Sequence, residues 1–408
     1  MVNFSRLAGR PRTNYAIFSL HALGGKHKVH VTQKIARKPA DLAAQIAEIA
    51  ANRPDLLIVF GSPEHFCAAN FADTLRSALP ACALIGCSTA GEITADGVDD
   101  GTCTLTAIKL ENTTLTQANT PLTGMDDSFA AGQRLGRQLA APDLKTVLVF
   151  GPGVQINGSA LVDGISSSIG NKVTITGGLA GDGGAFKQTF TLGPDGVHDN
   201  VIVAIGLCGE ALRFGHGSFG GWEPFGPARK VTRCANNVLF ELDGEPALDV
   251  YKRYLGDHAK GLPASGLLFP FAMLGEDHSA IGIIRTILGI DEATGSLTLA
   301  GEIDPNGYLK LMHASTDKLV NGAEAAAEAA ASMMNDSGES LAILVSCVGR
   351  KLVMGNRVDE EVEAVGDVFG SKAVLTGFYS YGEISPFTPG ASCKLHNQTM
   401  TITYLSEA

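Results

Sequence analysis

Charge and aromatic rings are scarce in this sequence. Of its 408 residues, 18% are Asp, Glu, Lys or Arg and 6% are Phe, Trp or Tyr, with a single tryptophan. Globular chains commonly carry about 25% charge. Hydrophobic residues still make up 45%, so the chain can bury a sizeable core and is not disordered. A basic surplus is also missing. Lys and Arg number 31 against 42 Asp and Glu, a net charge of −11, which argues against the broad basic footprint of a nucleic-acid binder. No aliphatic or aromatic run exceeds Leu56–Phe60, far short of the ~18 residues that read as a membrane span. None of the 8 cysteines forms a CxxC pair. Most sit in apolar runs such as Ile343–Cys347, so they read as buried free thiols in a reducing, cytoplasmic setting.

Glycine is abundant: 49 residues, about 12% against a usual ~7%. No three-residue period is present, which excludes collagen. The glycines therefore mark turns or close backbone approaches. Residues 1–39, with eight Lys or Arg and no acid before Asp41, read as a mobile basic tail.

One pattern recurs three times. A short apolar run bounded by glycine predicts a buried strand, an apolar spacing of three or four predicts a helix, and a second strand ends in a glycine-acid turn. The strands are Leu56–Phe60 and Ala83–Ile85, Val147–Phe150 and Val173–Thr176, and Leu341–Val345 and Ala373–Thr376. The turns are Gly86–Glu92, Gly177–Asp182 and Gly377–Glu383. A helix is expected before each copy, with Ser128 and Asp317 as N-caps of the second and third. A different region, about 214–315, reads as mixed α+β with β-hairpins, one of them pairing Ile281–Ile290 with Ser296–Ile303. The fold class expected is α/β, built of repeated strand-helix-strand units. The domains expected are 40–225 and 226–408.

Several residues invite chemistry. Gly215–Gly220 matches GxGxxG, but Pro224, Gly226 and Pro227 follow where a dinucleotide site needs a helix. It reads instead as a tight turn facing a pocket, with His216 an alternative ligand for haem b. Ser88 follows a strand as a hydrolase nucleophile does, but Ala90 replaces the last glycine of GxSxG. Serine hydrolysis at Ser88 is therefore an alternative reading. The three turns place exposed N–H groups and one acid each at strand ends, where ligands of parallel sheets gather. Glu92, Asp182 and Glu383 could converge on a cation, or each could cap its own turn. Arg213, Arg229, Arg233 and Arg285 are candidate carboxylate binders or surface ion pairs.

Gly86–Ile93, Gly177–Asp182, Glu241–Leu248, Ser346–Arg350, Gly377–Ile384 and Leu395–Met400 together resemble FIST-domain proteins, over roughly residues 40–405. The resemblance implies a bacterial, cytoplasmic sensory protein for a small molecule, an amino acid among the candidates. It implies no catalysis, no metal and no resident cofactor, with output through a partner protein such as a histidine kinase. One branch of the family resembles haem-based nitric-oxide sensors, which is the alternative reading for His216. The ligand site expected is Ser88, Thr89, Gly91, Glu92, Gly181, Asp182, Trp222, Ser380, Tyr381, Gly382 and Glu383. Glycine N–H groups would take an anionic part of the ligand and the acids a cationic part.

Overall fold

The structure, a computed structural model, describes residues 29–334, 338–387 and 392–408. The first stretch runs β1 (His30–Ala36), α1 (Leu42–Ala50), β2 (Leu56–Gly61), α2 (Pro63–Phe66), α3 (Phe71–Ala78) and β3 (Ala83–Ser88). It closes with β4 (Glu92–Thr94), β5 (Gly97–Asp99) and β6 (Cys103–Lys109). The next runs β7 (Thr114–Pro121), α4 (Ser128–Leu139), β8 (Leu144–Gly151), α5 (Gly158–Ile169), β9 (Thr174–Leu179), β10 (Thr191–Gly193), β11 (Gly196–His198) and β12 (Val201–Cys208). Then comes β13 (Leu212–Phe219).

A sheet of another kind follows. It holds β14 (Glu223–Pro224), β15 (Arg229–Ala235), β16 (Val238–Leu242), β17 (Glu245–Pro246), β18 (Phe271–Leu274), β19 (Ala280–Arg285), β20 (Ile287–Asp291), β21 (Ser296–Leu299) and β22 (Tyr308–His313). Its apolar face, with Leu239, Phe271, Leu297 and Leu309, packs on α6 (Ala247–Leu255). The last stretch is α7 (Thr316–Ser332), β23 (Ser340–Cys347), α8 (Val348–Met354), α9 (Asp359–Phe369), β24 (Ala373–Ser380), β25 (Gly382–Pro386), β26 (Cys393–His396) and β27 (Met400–Glu407). The architecture is mixed α/β with several mixed sheets.

Three six-stranded sheets share one plan: β1-β6-β2-β3-β10-β11, β7-β12-β8-β9-β25-β26 and β13-β27-β23-β24-β4-β5. The parallel pair at the centre of each, β2/β3, β8/β9 or β23/β24, has helix in its crossover, as parallel connections require. The hairpin that completes each sheet comes from a different stretch of the chain. Every residue of β2 and β23 is buried, because helices cover one face and the inner faces of the three sheets meet at the other. Phe60, Phe150 and Phe378, one from each sheet, form that inner contact with ring centroids 4.6–5.7 Å apart. Gly86, Gly177 and Gly377 allow the close approach of the central strands. A Cβ there would stand 2.0, 1.9 and 2.0 Å from the carbonyl oxygens of Val59, Val149 and Leu344.

Four expectations change. Residues 30–36 are not tail: they form β1, antiparallel to β6, and residues 1–28 lie outside the described residues. Gly215–Gly220 is not a turn either, since Leu212–Phe219 is strand paired along its length with β27. Its glycines face α7, where a Cβ on Gly215 or Gly217 would come 2.3 or 1.9 Å from the Ala330 or Ala326 carbonyl. The N-caps shift to Asp127 and Ser315, and only Ser315 caps with its side chain, accepting from the Lys318 N–H. The stretch Ile281–Ile290 is divided at Thr286, so that β19 pairs with β18 and β20 with β21.

Candidate functional site

The three glycine-acid turns meet. Ala90 N–H donates to the Tyr379 carbonyl and Tyr379 N–H to the Gly91 carbonyl, both at 2.9 Å, which joins the first turn to the third. Gly181 N–H donates to the Ser88 carbonyl at 2.8 Å and Gly183 N–H to that of Thr89 at 3.0 Å, which joins the second to the first. Tyr381 N–H donates to the Leu179 carbonyl at 3.1 Å and closes the ring. Gly181 sits where a Cβ would lie 2.7 Å from Ala90 N, so the second turn can approach only without a side chain. The Ser88 hydroxyl lies inside this junction, fully buried. It donates to the Gly181 carbonyl at 2.7 Å and accepts from Phe190 N–H at 2.8 Å.

The three acids each hold their own turn. Glu92 Oε1 accepts the Thr89 hydroxyl, and Oε2 accepts Thr102 N–H and hydroxyl, both at 2.9 Å. Glu383 Oε1 accepts the Ser380 hydroxyl at 2.7 Å, and Oε2 accepts Thr399 N–H at 3.1 Å and its hydroxyl at 3.0 Å. Burial raises both carboxyls to about 7, against the opposing pull of these hydrogen bonds. Asp182 accepts N–H groups of Phe186, Lys187 and Gln188 at 2.7–3.0 Å and the Tyr381 hydroxyl. Burial opposes its charge, but those donors hold its carboxyl below the usual value. Tyr381, in turn, accepts from the N–H groups of Asp182 and Gly184 and stacks on Phe186 at 4.0 Å.

The loop that Asp182 holds forms one wall of an open cleft of about 590 Å³. Pro152, Val154 and Gln155, at the carboxyl end of β8, form another wall, with Asp199, Asn200 and Leu122–Gly124 opposite. Gln188 Nε2 bonds Asp199 Oδ2 at 3.0 Å, and Gly153 N–H bonds the Thr189 hydroxyl at 2.8 Å. The cleft thus presents one cationic side chain, Lys187, and one anionic side chain, Asp199. No motif marked either residue in the sequence.

The remaining candidates scatter. The Trp222 indole N–H donates to the Gln398 carbonyl at 2.7 Å, not to a turn. His216 is buried within β13, beside Phe214 at 5.8 Å, and burial lowers its pKa. Arg229 and Arg233 pair with Asp243 and Glu241 near the surface, while Arg213 bonds the Glu210 carbonyl. Sequence reasoning missed two clamps on the junction. Lys351 donates to the Ala90 carbonyl at 2.8 Å and pairs with Asp100. Arg350 and Glu361, wholly buried, pair at 2.6 Å, and Glu361 also takes the hydroxyls of Ser346 and Tyr379. The Ser346–Arg350 motif was the signal for the second.

Two family descriptions match: FIST N domain over residues 55–245 and FIST C domain over residues 247–386. The chain belongs to the FIST family. FIST domains are small-ligand sensory domains of signal transduction. A stretch of 92 residues is 34% identical to Uncharacterized protein MJ1623 of Methanocaldococcus jannaschii, covering 22% of this chain and 17% of that protein. This FIST chain thus matches well under two thirds of that relative's length. The crystal structure of a cyanuric acid hydrolase from A. caulinodans is similar at a TM-score of 0.38 and 10% identity, over 93% of this chain and 98% of that one. No helix among the described residues of this FIST protein is long and apolar enough to cross a membrane.

Proposed function

We propose that this FIST protein senses a small zwitterion, of the α-amino acid class, in the cleft beside the second turn. It then signals through a partner protein of the histidine-kinase kind. The observation that carries this reading is the double attachment of Asp182. Its carboxylate holds the N–H groups of Lys187 and Gln188 in the cleft wall and also holds Tyr381 of the third turn. Lys187 suits a ligand carboxylate and Asp199 a ligand ammonium. Ser88, Thr89, Gly91, Glu92, Gly181, Ser380, Gly382 and Glu383 form the buried frame behind the cleft, and Trp222 joins that frame through Gln398. A ligand that prefers one position of the Lys187–Thr189 loop biases this frame, because only differential affinity shifts a conformational equilibrium.

Calorimetric titration of the full chain with each proteinogenic amino acid tests the reading. At least one is expected to bind, and Lys187→Ala and Asp199→Ala are each expected to weaken it at least tenfold. Binding that is unchanged in both variants, or no binding at all, overturns it.

A further inference from the structure

We propose that Arg285 and the His396–Gln398 segment form a second site, which takes a small carboxylate that also bears a hydrogen-bond donor, the class of short hydroxy acids. Arg285 ends β19, is 4% exposed, and reaches across to the β25–β26 hairpin. Its donors find only carbonyls: Nε the Glu302 carbonyl at 3.3 Å, and Nη1 those of Ile284 and Leu395 at 3.4 Å. Among the described residues no carboxylate lies within ion-pair distance of it. Glu302, the nearest candidate, turns an exposed side chain to the Asn157 amide instead. The contrast is Arg350, equally buried, which has Glu361.

A buried guanidinium without a counter-charge is strongly unfavourable. Burial pulls Arg285 down only to about 10, with Glu302 offsetting part of the effect, so it is charged at neutral pH. A carboxylate is the partner that its planar fork suits. Gly301 lets the backbone close over the guanidinium, since a Cβ there would stand 2.6 Å from Nε. That close cover limits the ligand to a small one.

The neighbouring segment has the complementary shortage. His396 is 1% exposed, and its Nε2 faces the Ser385 carbonyl at 2.9 Å, which assigns the proton to Nε2. Its Nδ1 is then an acceptor, and it has no partner among the described residues. Asn397 Oδ1 and Gln398 Oε1, both buried, also lack partners. Gln398 Nε2 is fixed on the Leu267 carbonyl at 2.9 Å and the Thr286 hydroxyl at 3.1 Å, so the amide oxygen is correctly placed as an acceptor. Three successive residues therefore carry orphan acceptors directly after Leu395, whose carbonyl Arg285 touches, and buried polar groups are nearly always satisfied. A molecule with a carboxylate and a hydroxyl supplies the missing anion and a donor for one of these acceptors.

Thermal unfolding of the full chain with glycolate, acetate or chloride tests the site. Glycolate is expected to raise the melting temperature most, acetate less, and chloride not at all. Arg285→Gln is expected to abolish the glycolate effect. Should that variant not fold, the Arg285 Nε–H resonance of the unaltered protein is followed by NMR as glycolate is added, and it is expected to move. A chloride effect as large as that of glycolate overturns the carboxylate assignment. A glycolate effect that survives in Arg285→Gln, or a stationary resonance with no thermal effect, overturns the site.

Discussion

Glu92 and Glu383 carry matching sets of hydrogen bonds in two different sheets. Each takes a hydroxyl from the residue three positions earlier, Thr89 or Ser380, on one oxygen. Each takes the N–H and hydroxyl of a later threonine, Thr102 or Thr399, on the other. Both are buried. The carboxylates are parts of the frame, and each locks its turn, across an intervening hairpin, to the residue just before β6 or β27.

This arrangement sets a pH dependence. Both groups titrate at about 7 in the folded protein against an ordinary 4.5. A raised folded value means that their contribution to stability is complete below the ordinary value and is lost as pH rises through about 7. The loss is at most about 3 kcal/mol per carboxyl. Urea unfolding across that window should show stability falling with rising pH. Glu92→Gln and Glu383→Gln should each flatten the slope.

Ser88 should be structural and chemically silent. Ser88→Ala removes the partner of the buried Phe190 N–H and of the Gly181 carbonyl, at a cost of about 1–3 kcal/mol. A fluorophosphonate probe should leave the unaltered protein unlabelled at this position, because both functions of the hydroxyl are engaged inside the junction. Mass spectrometry of the treated protein checks this.

Two glycine substitutions should have opposite signs. Gly217→Ala drives a methyl group to 1.9 Å from the Ala326 carbonyl, so β13 and α7 must separate, and overpacking of this kind costs about 1–3 kcal/mol or more. Gly366→Ala in α9 meets only Leu375, at 3.8 Å, and should stabilise by up to about 1 kcal/mol through helix propensity. Paired thermal melts compare them.

Breaking the Arg350–Glu361 pair should be severe. Glu361→Gln leaves a fully buried guanidinium without its counter-charge, which costs about 3–5 kcal/mol. It also weakens the acceptor of the Tyr379 and Ser346 hydroxyls. A double-mutant cycle with Arg350→Met should return a large coupling energy.

The mixed α/β class was legible because Leu56–Phe60, Val147–Phe150 and Leu341–Val345 are short continuous apolar runs, and each lies within a strand. The role of Gly215 and Gly217 was not legible, since a glycine that admits a helix looks the same in sequence as one that makes a turn. The turns were visible as glycine-acid pairs. Their internal bonding was not, because Thr102 and Thr399 stand 10 and 16 residues from the acids they complete. Arg285 stood out only as one of four arginines, because burial without a partner acid depends on strands far apart in the chain. Lys187 and Asp199 flank the local β10–β11 hairpin, but the cleft they line was not legible, because it is shaped by the side-chain bonds of Asp182 to Lys187 N–H and of Gln188 to Asp199.

The exchanged hairpins bear on how the chain is made. Thr94 of β4 finds its partner in Thr376, so the first hairpin emerges during synthesis long before the strand that will shield it. Its edge has no neighbour until β24, about 280 residues later, has been made. The same delay separates β13 from β27. Contacts this distant in sequence form slowly, and exposed strand edges invite association meanwhile. Separately expressed FIST N and FIST C fragments would each lack strands that the other carries, so they should become native only when combined.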